Sequence, residues 1–500
     1  MLNKIWILGI SVCVLFPSYS FSGSEKSEPN AVEQIQLTLQ ECIALTFKNN
    51  LNIQIEKITP LIAETLITRG EGEFDPTFST SASVNKTMSP SASTFAAPKV
   101  GKVETIAVSA GVNKKYKTGT EINFQAGSMR SRTNSRFQGI NPQYDTSLKF
   151  SVSQNLLKNF GTEINSATIQ IAAINWSKSK LSFKNTVLQI LTDVQLTYLD
   201  LVFAKKDLEV KKENLNLAIE FENRVKTQVE IGVLPPIEIT QAKAEVALRE
   251  EEIIIARSTI QNIEDKLKQF VNLSPDWSAF SLHPADVPFI EPAPSTLDED
   301  ILEALEKRPD YLEAVANSKT LRIDISKKKN LLLPALGVSG NLELTGLSGS
   351  AQTSANLDGT VSQSQFGGGY GKSYEDILNG EHINWNLGVS LTIPLGNKAA
   401  KSDLLEAEFN ARKNEAIIRK LKQDVSIQVR EARRRVDTAV KRIDVTKISG
   451  KLAKEKLAAE ETKFKLGMST SFNVLEFQRD LSLAKTRELL AVSDYNKAII

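Results

Sequence analysis

The sequence predicts a mixed α/β protein, mainly helical, in which one structural plan occurs twice along 500 residues. Three observations support this prediction. Apolar residues recur at every seventh position in two long segments that are otherwise rich in charge. Each segment leads into a similar glycine-containing corner, and stretches of alternating apolar and polar residues precede both segments. We therefore expect helix, strands and a long helical hairpin to follow one another twice.

The seven-residue repeats predict paired helices. They comprise Val187, Val194, Leu201, Leu208 and Leu215, and then Val429, Val436, Ile443, Gly450, Leu457 and Phe464. Such repeats are typical of helices that supercoil along a narrow seam. Beside them run two lines of mostly smaller residues, which are Ile190, Thr197, Ala204 and Ala218, and Val425, Ala432, Ala439, Thr446 and Ala453. Two seams allow contacts on two sides, as in a ring of helices.

Each long helix reverses at a corner into a second helix. The first long helix is predicted over residues 165–231, which corresponds to roughly 100 Å at the rise of an α-helix. Its partner is predicted over residues 237–271, with an apolar side formed by Ile239, Ala242, Val246 and Leu248. The second half follows with a long helix from residue 396, a corner at residue 467 and a last helix over residues 472–500.

Alternating stretches predict strands before each long helix. They lie near residues 74–84, 106–112, 122–126, 148–156, 333–338 and 385–395. One face of each is apolar and the other is small or polar, which fits either a soluble sandwich or an outer-membrane barrel. Between the last two strands, the Gly- and Ser-rich residues 346–371 predict a flexible loop.

The N-terminus predicts secretion. Lys4 precedes an apolar run from Ile5 to Phe16, and small residues follow at Ser18, Ser20 and Ser22. This pattern predicts a signal peptide over residues 1–22, with an N-terminal membrane anchor as the alternative. No later run is apolar enough for a transmembrane helix, so crossing a membrane would require strands. Together with the sparse aromatic residues, the signal peptide favours the barrel. We assign residues 23–275 to a first repeat, 276–296 to a proline-rich surface linker and 297–500 to a second repeat.

The composition excludes several functions. The net charge is only +2 with the signs mixed along the helices, so no nucleic-acid surface is predicted. His283 and His382 fall in or near loops and are expected to be solvated. Cys42 is the one cysteine after the signal peptide, which excludes an intrachain disulfide there. Because no hydrolase, phosphate-loop or zinc-protease motif occurs, we expect no enzyme, no cofactor and no metal site.

Several motifs, in order and twice over, resemble the TolC family of outer-membrane efflux proteins. They are the repeat starts at 37–50 and 297–309, the strand entries at Pro76 and Pro334, the strand exits at 154–157 and 393–396, the corners at 230–239 and 463–476, and the closing 494–498. The resemblance implies a homotrimer in which each copy gives four strands to a twelve-stranded outer-membrane barrel and its helices to a periplasmic tunnel. It also implies a passive exit duct of an efflux or type I secretion system. Its partners would be outer-membrane lipid, a periplasmic adaptor and an inner-membrane transporter.

The sequence departs from this family in three places. The strands near Ile106 and Ile122 add a hairpin, which we expect to lie outside the barrel as an extracellular or folded-back insertion. The less favoured alternative is that each copy gives six strands to a wider barrel. The last helix looks shorter than its counterpart in the first half. The family's aspartate ring at the tunnel constriction aligns with Ala458, close to Glu460 and Glu461.

Two groups of residues are candidate functional sites. The corners would form the tunnel tip that meets the adaptor, through Gly232, Val233, Leu234, Gly467, Met468 and Ser469. A possible acidic constriction comprises Glu222, Glu230, Glu460 and Glu461. Carboxylates repeated by threefold symmetry would favour cations in a narrow pore. The alternative to the duct is a periplasmic coiled-coil structural or adaptor protein whose strands form a soluble sandwich.

Overall fold

A computed structural model describes residues 33–92, 98–135, 138–273, 280–286, 296–355 and 361–500. The predicted signal peptide lies outside these residues. The helices are α1 (Leu39–Asn49), α2 (Leu51–Glu71), α3 (Thr162–Asn165), α4 (Ala167–Glu230), α5 (Ile237–Val271), α6 (Leu297–Lys307), α7 (Pro309–Leu331), α8 (Tyr370–Asn379), α9 (Lys398–Lys465) and α10 (Ser471–Ile499). The strands are β1 (Glu33–Leu37), β2 (Thr77–Pro90), β3 (Val100–Lys115), β4 (Thr120–Thr133), β5 (Ile140–Asn155), β6 (Phe280–Pro284), β7 (Ala335–Ala351), β8 (Thr353–Ala355), β9 (Val361–Gln363) and β10 (Ile383–Thr392). The predicted mixed class, mainly helical, is confirmed.

The helix starts of the two halves use the same chemistry. Thr38 accepts the Glu41 amide at 3.2 Å, and the Glu41 carboxylate accepts the Thr38 amide at 2.8 Å, which completes a capping box. Thr296 and Glu299 form the corresponding box at the start of α6. A short break follows each first helix. Asn50 caps α2 through its side chain, whereas Pro309 occupies the first turn of α7, where no amide donor is needed.

The long helices pack along the predicted seams. Most positions of the seven-residue repeats are buried or half-buried, including Val194, Leu201, Leu457 and Phe464. The second line is also largely covered, although Ala432 is exposed. α4 contacts α2 and α7 as well as α5 and α10, so each of its sides meets a different neighbour. At 64 residues, α4 is about 96 Å long.

Six strands form one antiparallel sheet in the order β10-β7-β5-β4-β3-β2. The expectation that the hairpin near Ile106 and Ile122 lies outside a four-stranded sheet is therefore wrong. This hairpin is β3 and β4, and it pairs between β2 and β5 along its length. Its alternation of apolar and polar residues has the same phase as that of its neighbours, so the ladder continues through it. One apolar row crosses all six strands, through Trp385, Leu342, Phe150, Phe124, Val112 and Phe78.

In its described residues, the Gly- and Ser-rich segment 346–371 contains more regular structure than predicted. It continues β7 to Ala351, pairs β8 with β9 in antiparallel fashion and leads into α8. Residues 356–360 lie outside the described residues. α8 lies against β5 and β7, where Thr146 donates to the Ser373 carbonyl at 2.7 Å and Ser348 donates to the Gly369 carbonyl at 3.0 Å. A Cβ at Gly346 would collide with the Ser373 carbonyl oxygen. Gly346 therefore allows α8 to pack closely against the sheet and does not mark a flexible loop.

A parallel pair of strands joins the two ends of the first half. β6 falls within the segment predicted as a surface linker, and it pairs with β1 just before α1. Residues 274–279 and 287–295 of the same region lie outside the described residues. Phe280 and Leu282 of β6 are buried against α4 and α5. The Tyr198 hydroxyl lies 3.0 Å from the Leu37 carbonyl oxygen and 2.9 Å from the Asp286 carboxylate, which ties α4 to both strands.

Two side chains singled out in the sequence lie in or beside this region. Cys42 is fully buried, and burial raises the pKa of its thiol to about 12, so the thiol remains protonated and inert. His283 lies in β6 and is only half-exposed, in contrast to the predicted solvated position. Burial, followed by the nearby Lys205 cation, lowers its pKa, so the imidazole stays neutral near pH 7.

α4 also corrects one expectation about membrane segments. It contains a stretch long and apolar enough to cross a membrane, although no such stretch was expected after residue 22. Of that stretch, 44% is buried inside the protein. Val194, Tyr198 and Leu201 of α4 are buried in one hydrophobic cluster with residues of β1, β6 and α5.

We expect Gly346→Ala to detach α8 from the sheet, because the added methyl group would occupy the position of the Ser373 carbonyl. Hydrogen exchange of the α8 amides should become markedly faster. Gly371→Ala is the matched control, since nothing lies within 4 Å of its added Cβ, and it should leave exchange unchanged or slower. Equal exchange in the two variants would contradict the proposed close packing.

Candidate functional site at the two helical corners

Both corners end their long helix in the same way. At the first, the Val233 amide donates to the Gln228 carbonyl at 2.8 Å and the Gly232 amide to the Val229 carbonyl at 3.0 Å. At the second, the Met468 amide donates to the Lys463 carbonyl at 2.9 Å and the Gly467 amide to the Phe464 carbonyl at 3.1 Å. These are the two bonds of a Schellman motif.

Glycine is required at the centre of each motif. Gly232 has φ of 77° and Gly467 has φ of 74°, which is the left-handed region that other residues avoid. No atom lies within 4 Å of a Cβ added at either position, so the requirement comes from the backbone alone. The predicted glycine corners thus have a defined physical cause.

The corners expose several apolar side chains. Val233 is 64% exposed and Met468 is 74% exposed, and both stand next to further exposed apolar residues. Those neighbours are Ile231, Ile237, Leu466 and Phe472. Leu234 differs from the prediction, because it is only half-exposed and packs on the core beneath. Exposed apolar clusters of this kind are typical of protein contact sites.

One hydrophobic core lies beneath both corners. It joins all four long helices through Phe221, Val225, Ala242, Leu457, Phe464, Val474, Leu475 and Leu481. The rings of Phe221 and Phe464 lie 5.4 Å apart, so α4 and α9 meet directly. The two corners are therefore one structural unit, and we expect that displacing one corner also displaces the other.

Two of the four predicted acidic residues are already paired within the chain. Glu460 is buried; it accepts Ser469 Oγ at 2.5 Å and Lys463 Nζ at 3.0 Å. The Ser469 hydrogen bond, and then Lys463, lowers the pKa of Glu460, which therefore remains ionised near neutral pH. Glu461 lies 3.7 Å from the Arg224 guanidinium. Ser469 and Glu460 thus fasten the second corner to its own helix.

The other two acids differ from this pair. Glu222 is half-exposed and Glu230 is exposed at the end of α4. In the described part of the chain, no ion pair includes either of them. Their charges remain available to a pore or a partner, whereas those of Glu460 and Glu461 are largely compensated.

An ion pair that was not predicted from the sequence joins the two hairpins. Arg479 of α10 donates through Nε to the Glu245 carboxylate of α5 at 3.0 Å, and Arg249 lies 2.7 Å from the other oxygen of that carboxylate. Glu245 and Arg249 are buried in the seam of α5, whereas Leu248 is exposed and its predicted place on the packed side is wrong. The sequence contains one indication of this ion pair. Glu245 and Arg249 have opposite charges, lie four residues apart and fall between the seam residues Ala242 and Ile253.

Further polar contacts continue this connection along α10. Lys485 pairs with Glu213 at 2.7 Å, and Asn214 donates to Ser482 at 2.7 Å. Near the other end of α10, Lys497 pairs with Asp200. The last helix is therefore held to α4 and α5 by side-chain contacts spaced over most of its length.

His382, which lies at the end of the sheet far from the long helices, has two acidic neighbours. One of its ring nitrogens lies within 4.8 Å of a carboxylate oxygen of Asp376 and of one of Glu381. The Asp376 carboxylate is buried and already accepts the Leu347 amide at 3.3 Å. Its structural use there is to hold α8 on β7.

Comparison with known proteins finds a matching family for the second part of the chain. Residues 301–500 match a family described as outer membrane efflux protein. The predicted resemblance to the outer-membrane efflux proteins is confirmed. No relative is found among curated protein sequences. The predicted localisation, the outer membrane with a periplasmic extension, is confirmed, and the match supports the role of an outer-membrane efflux channel.

Several solved membrane-protein structures share the fold of this chain. A membrane protein from Pseudomonas aeruginosa has a TM-score of 0.66 at 16% identity, over 92% of this chain and 88% of that one. The CmeC outer membrane channel of Campylobacter jejuni has a TM-score of 0.63 at 15% identity, over 92% and 84%. The outer membrane protein VceC of Vibrio cholerae has a TM-score of 0.61 at 14% identity, over 92% and 94%. At these identities the likeness concerns the fold.

We expect Glu245→Gln to loosen the contact between the hairpins, because it leaves the buried Arg249 without its closest acid and removes the partner of Arg479. Breaking one side of a buried ion pair costs about 3 kcal/mol. The thermal midpoint at a fixed heating rate should fall, and hydrogen exchange should rise in α5 and α10. Glu252→Gln is the control, because this more exposed carboxylate contributes less than about 1 kcal/mol. Equal shifts for the two variants would exclude a special role for Glu245.

Proposed function

We propose that the chain is the passive exit duct of a tripartite efflux or type I secretion system. The observation that carries the proposal is the combination of a sheet with an exposed apolar face and helices about 100 Å long at one of its ends. Such a molecule can cross the outer membrane with its strands and reach far into the periplasm with its helices. It performs no catalysis, and an inner-membrane transporter supplies the energy.

The exposed face of the sheet favours a barrel in lipid over a soluble sandwich. On β10, Trp385, Leu387 and Val389 are each more than 70% exposed. In a sandwich these side chains would form the core, because an apolar row in contact with water is costly. In an outer-membrane barrel the same row faces lipid while Asn384, Asn386 and Ser390 face the lumen. The periplasmic structural or adaptor protein is therefore the weaker candidate.

Homotrimer formation is supported by apolar side chains that the single chain leaves uncovered. On α9 they are Phe409, Ile427, Val445, Ile448 and Leu452, and on α2 they are Ile55, Ile58, Leu61, Ile62 and Leu66. They lie on helices that already bury another side within the chain. Neighbouring copies would cover them and complete a helical tunnel, as two seams per helix require.

The apolar corners are suited to dock a periplasmic adaptor. They lie at the end of the helices farthest from the sheet, and they present Val233 and Met468 on a rigid shared core. The Schellman bonds fix the backbone at both corners, so little conformational entropy is lost when a partner binds. The adaptor would connect this tip to the transporter.

We expect the protein to fractionate with the outer membrane as a trimer whose migration on a gel changes on heating. In that trimer, Met468→Glu combined with Val233→Glu should abolish chemical cross-linking to the adaptor, since each introduces a charge into an apolar contact. Lys57→Glu, an exposed change on α2 away from the corners, is the control and should cross-link normally. Recovery of the protein only from soluble periplasm would refute the duct.

The acidic constriction is a second part of this proposal. Glu222 and Glu230 carry uncompensated charge, so Glu222→Gln with Glu230→Gln should make conductance in planar bilayers less cation-selective. Neutralising Glu460 and Glu461 should change selectivity less, because Lys463 and Arg224 already lie beside these two carboxylates and screen their charge from the pore. Unchanged selectivity in both double variants would remove all four residues from the pore.

A further inference from the structure

We propose that three copies of this chain close an eighteen-stranded barrel, in which β10 of each copy pairs with β2 of the next. The proposal rests on the trimeric duct above and concerns its membrane part. Six strands per copy are present in the sheet, two more than the four implied by the resemblance of the sequence to its family. The additional two are the β3–β4 hairpin, and the surface that binds the neighbouring copy is the pair of free sheet edges.

The first argument is that β3 and β4 are complete members of the sheet. β2 pairs with β3 in unbroken register from Thr77 to Pro90, and β4 pairs with β5 from Thr120 to Ser131. The turn between β3 and β4 is also fastened at the helical end, because the Gly161 amide donates to the Thr118 carbonyl at 3.2 Å. A hairpin that folded outside the barrel would have neither contact.

The second argument is the phase of the side chains on the hairpin. Val112 of β3 and Phe124 of β4 are exposed on the same face as the apolar row of β10. Their neighbours on the opposite face, such as Asn113 and Asn123, are polar. An extracellular insertion in water has no need for this alternation, whereas a strand between lipid and a wet lumen requires it.

The third argument is the direction of the two free edges. Neighbouring strands of the sheet are all antiparallel, and their number is even, so β2 and β10 run in opposite directions. β2 leaves the helices and β10 returns to them. Placed side by side in a ring, β10 of one copy and β2 of the next are therefore antiparallel, and the alternation continues around the barrel.

The fourth argument is that neither edge is protected against pairing. Soluble proteins guard free edges with charges, prolines or bulges. β10 contains no charged residue and no proline. The one charged residue of β2, Lys86, is neutralised by Glu104 of β3 at 2.8 Å, and its one proline, Pro90, is the last residue of the strand and leaves the rest of the edge open. In a membrane the unpaired backbone groups of such edges would be very costly, because lipid offers no hydrogen bonds. Pairing with the edge strand of a second copy of this chain would supply the missing hydrogen bonds.

The barrel would be wider than the family resemblance implies. Because diameter grows roughly in proportion to strand number, eighteen strands give a lumen about 1.5 times as wide as twelve. Barrels of this size leave an aqueous channel instead of filling with side chains. The inward face, with Ser79, Ser109, Asn123, Ser151 and Asn341, would line that channel.

Spin labels on single cysteines test whether the hairpin faces lipid. Labels at Val112→Cys and Phe124→Cys in the reconstituted trimer should be accessible to oxygen and protected from a water-soluble nickel complex. Asn123→Cys is the matched control on the other face and should show the opposite preference. Val389→Cys on β10 reports lipid contact whether or not the hairpin joins the barrel. Cys42 does not interfere, since it is fully buried.

The outcomes separate this inference from the proposed function. Lipid contact at Val112, Phe124 and Val389 supports the eighteen-stranded barrel. Lipid contact at Val389 with water contact at Val112 and Phe124 overturns the inference and leaves the duct intact. Water contact at all three positions refutes the membrane barrel itself.

Disulfide cross-linking tests the closing contact. Ser390→Cys on the inward face of β10 is combined in turn with Ser79→Cys, Ser81→Cys or Ser83→Cys on the inward face of β2. At least one combination should give covalent trimers on oxidation. Ser390→Cys with Ala82→Cys is the control, because Ala82 points to the opposite face and should not react. Absence of covalent trimers in all three combinations would overturn the pairing of β10 with β2.

Discussion

The close approach of long helices along two sides is the constraint on which the rest of this structure depends. Helices of this length gain little from their own hydrogen bonds and are stabilised mainly by packing. Small side chains make the approach possible. Ala204 and Ala218 are buried in α4, and Gly450 lies in the seam of α9, where an added Cβ would come within 3.0 Å of the Glu488 carboxylate. A glycine costs about 1 kcal/mol in a helix, so its presence in the seam reflects the space available there.

The charged residues of the seam give the hairpins a single register. A seven-residue repeat is similar to itself after a shift of seven positions, and apolar contacts alone would tolerate such a shift. Arg249 accompanies Glu245 on α5 in any register, whereas Arg479 of α10 reaches the Glu245 carboxylate in only one. Buried polar groups are known to set register in coiled coils at some cost in stability. In this chain they do so between two hairpins that belong to different halves of the sequence.

Local and periodic features of the fold could be predicted from the sequence, and long-range pairing could not. The seams, the corners and the capping box at Thr38 follow from spacing over a few residues, and the structure contains them. β1 and β6 are too short to show a period, and each needs a partner far away in the chain. The alternation of apolar and polar residues predicts the strands β3 and β4, but it does not reveal which strands pair. The sequence does not predict α8, because its region is rich in Gly and Ser, residues that here allow close contact between backbones.

The same limit applies to the candidate site. Gly232 and Gly467 could be identified because only glycine suits a left-handed corner. The engagement of Glu460 by Ser469 depends on how the chain folds back over the corner, which spacing does not specify. Leu248 was placed on the packed side because leucine is apolar, although the seam one position away is occupied by Arg249. Side-chain partners, unlike backbone geometry, require the tertiary structure.

The number of strands also determines how the sheet meets the helices. Four helices of each copy connect to the sheet, namely α2, α4, α7 and α9. At a spacing of 8–10 Å, four helices side by side occupy an arc of roughly 32–40 Å. Six strands spaced about 4.8 Å apart and tilted by about 40° occupy an arc of roughly 38 Å, whereas four would occupy roughly 25 Å. In the proposed trimer, six strands per copy would therefore match the circumference of the helical ring, and the wall would pass from sheet to helix without narrowing.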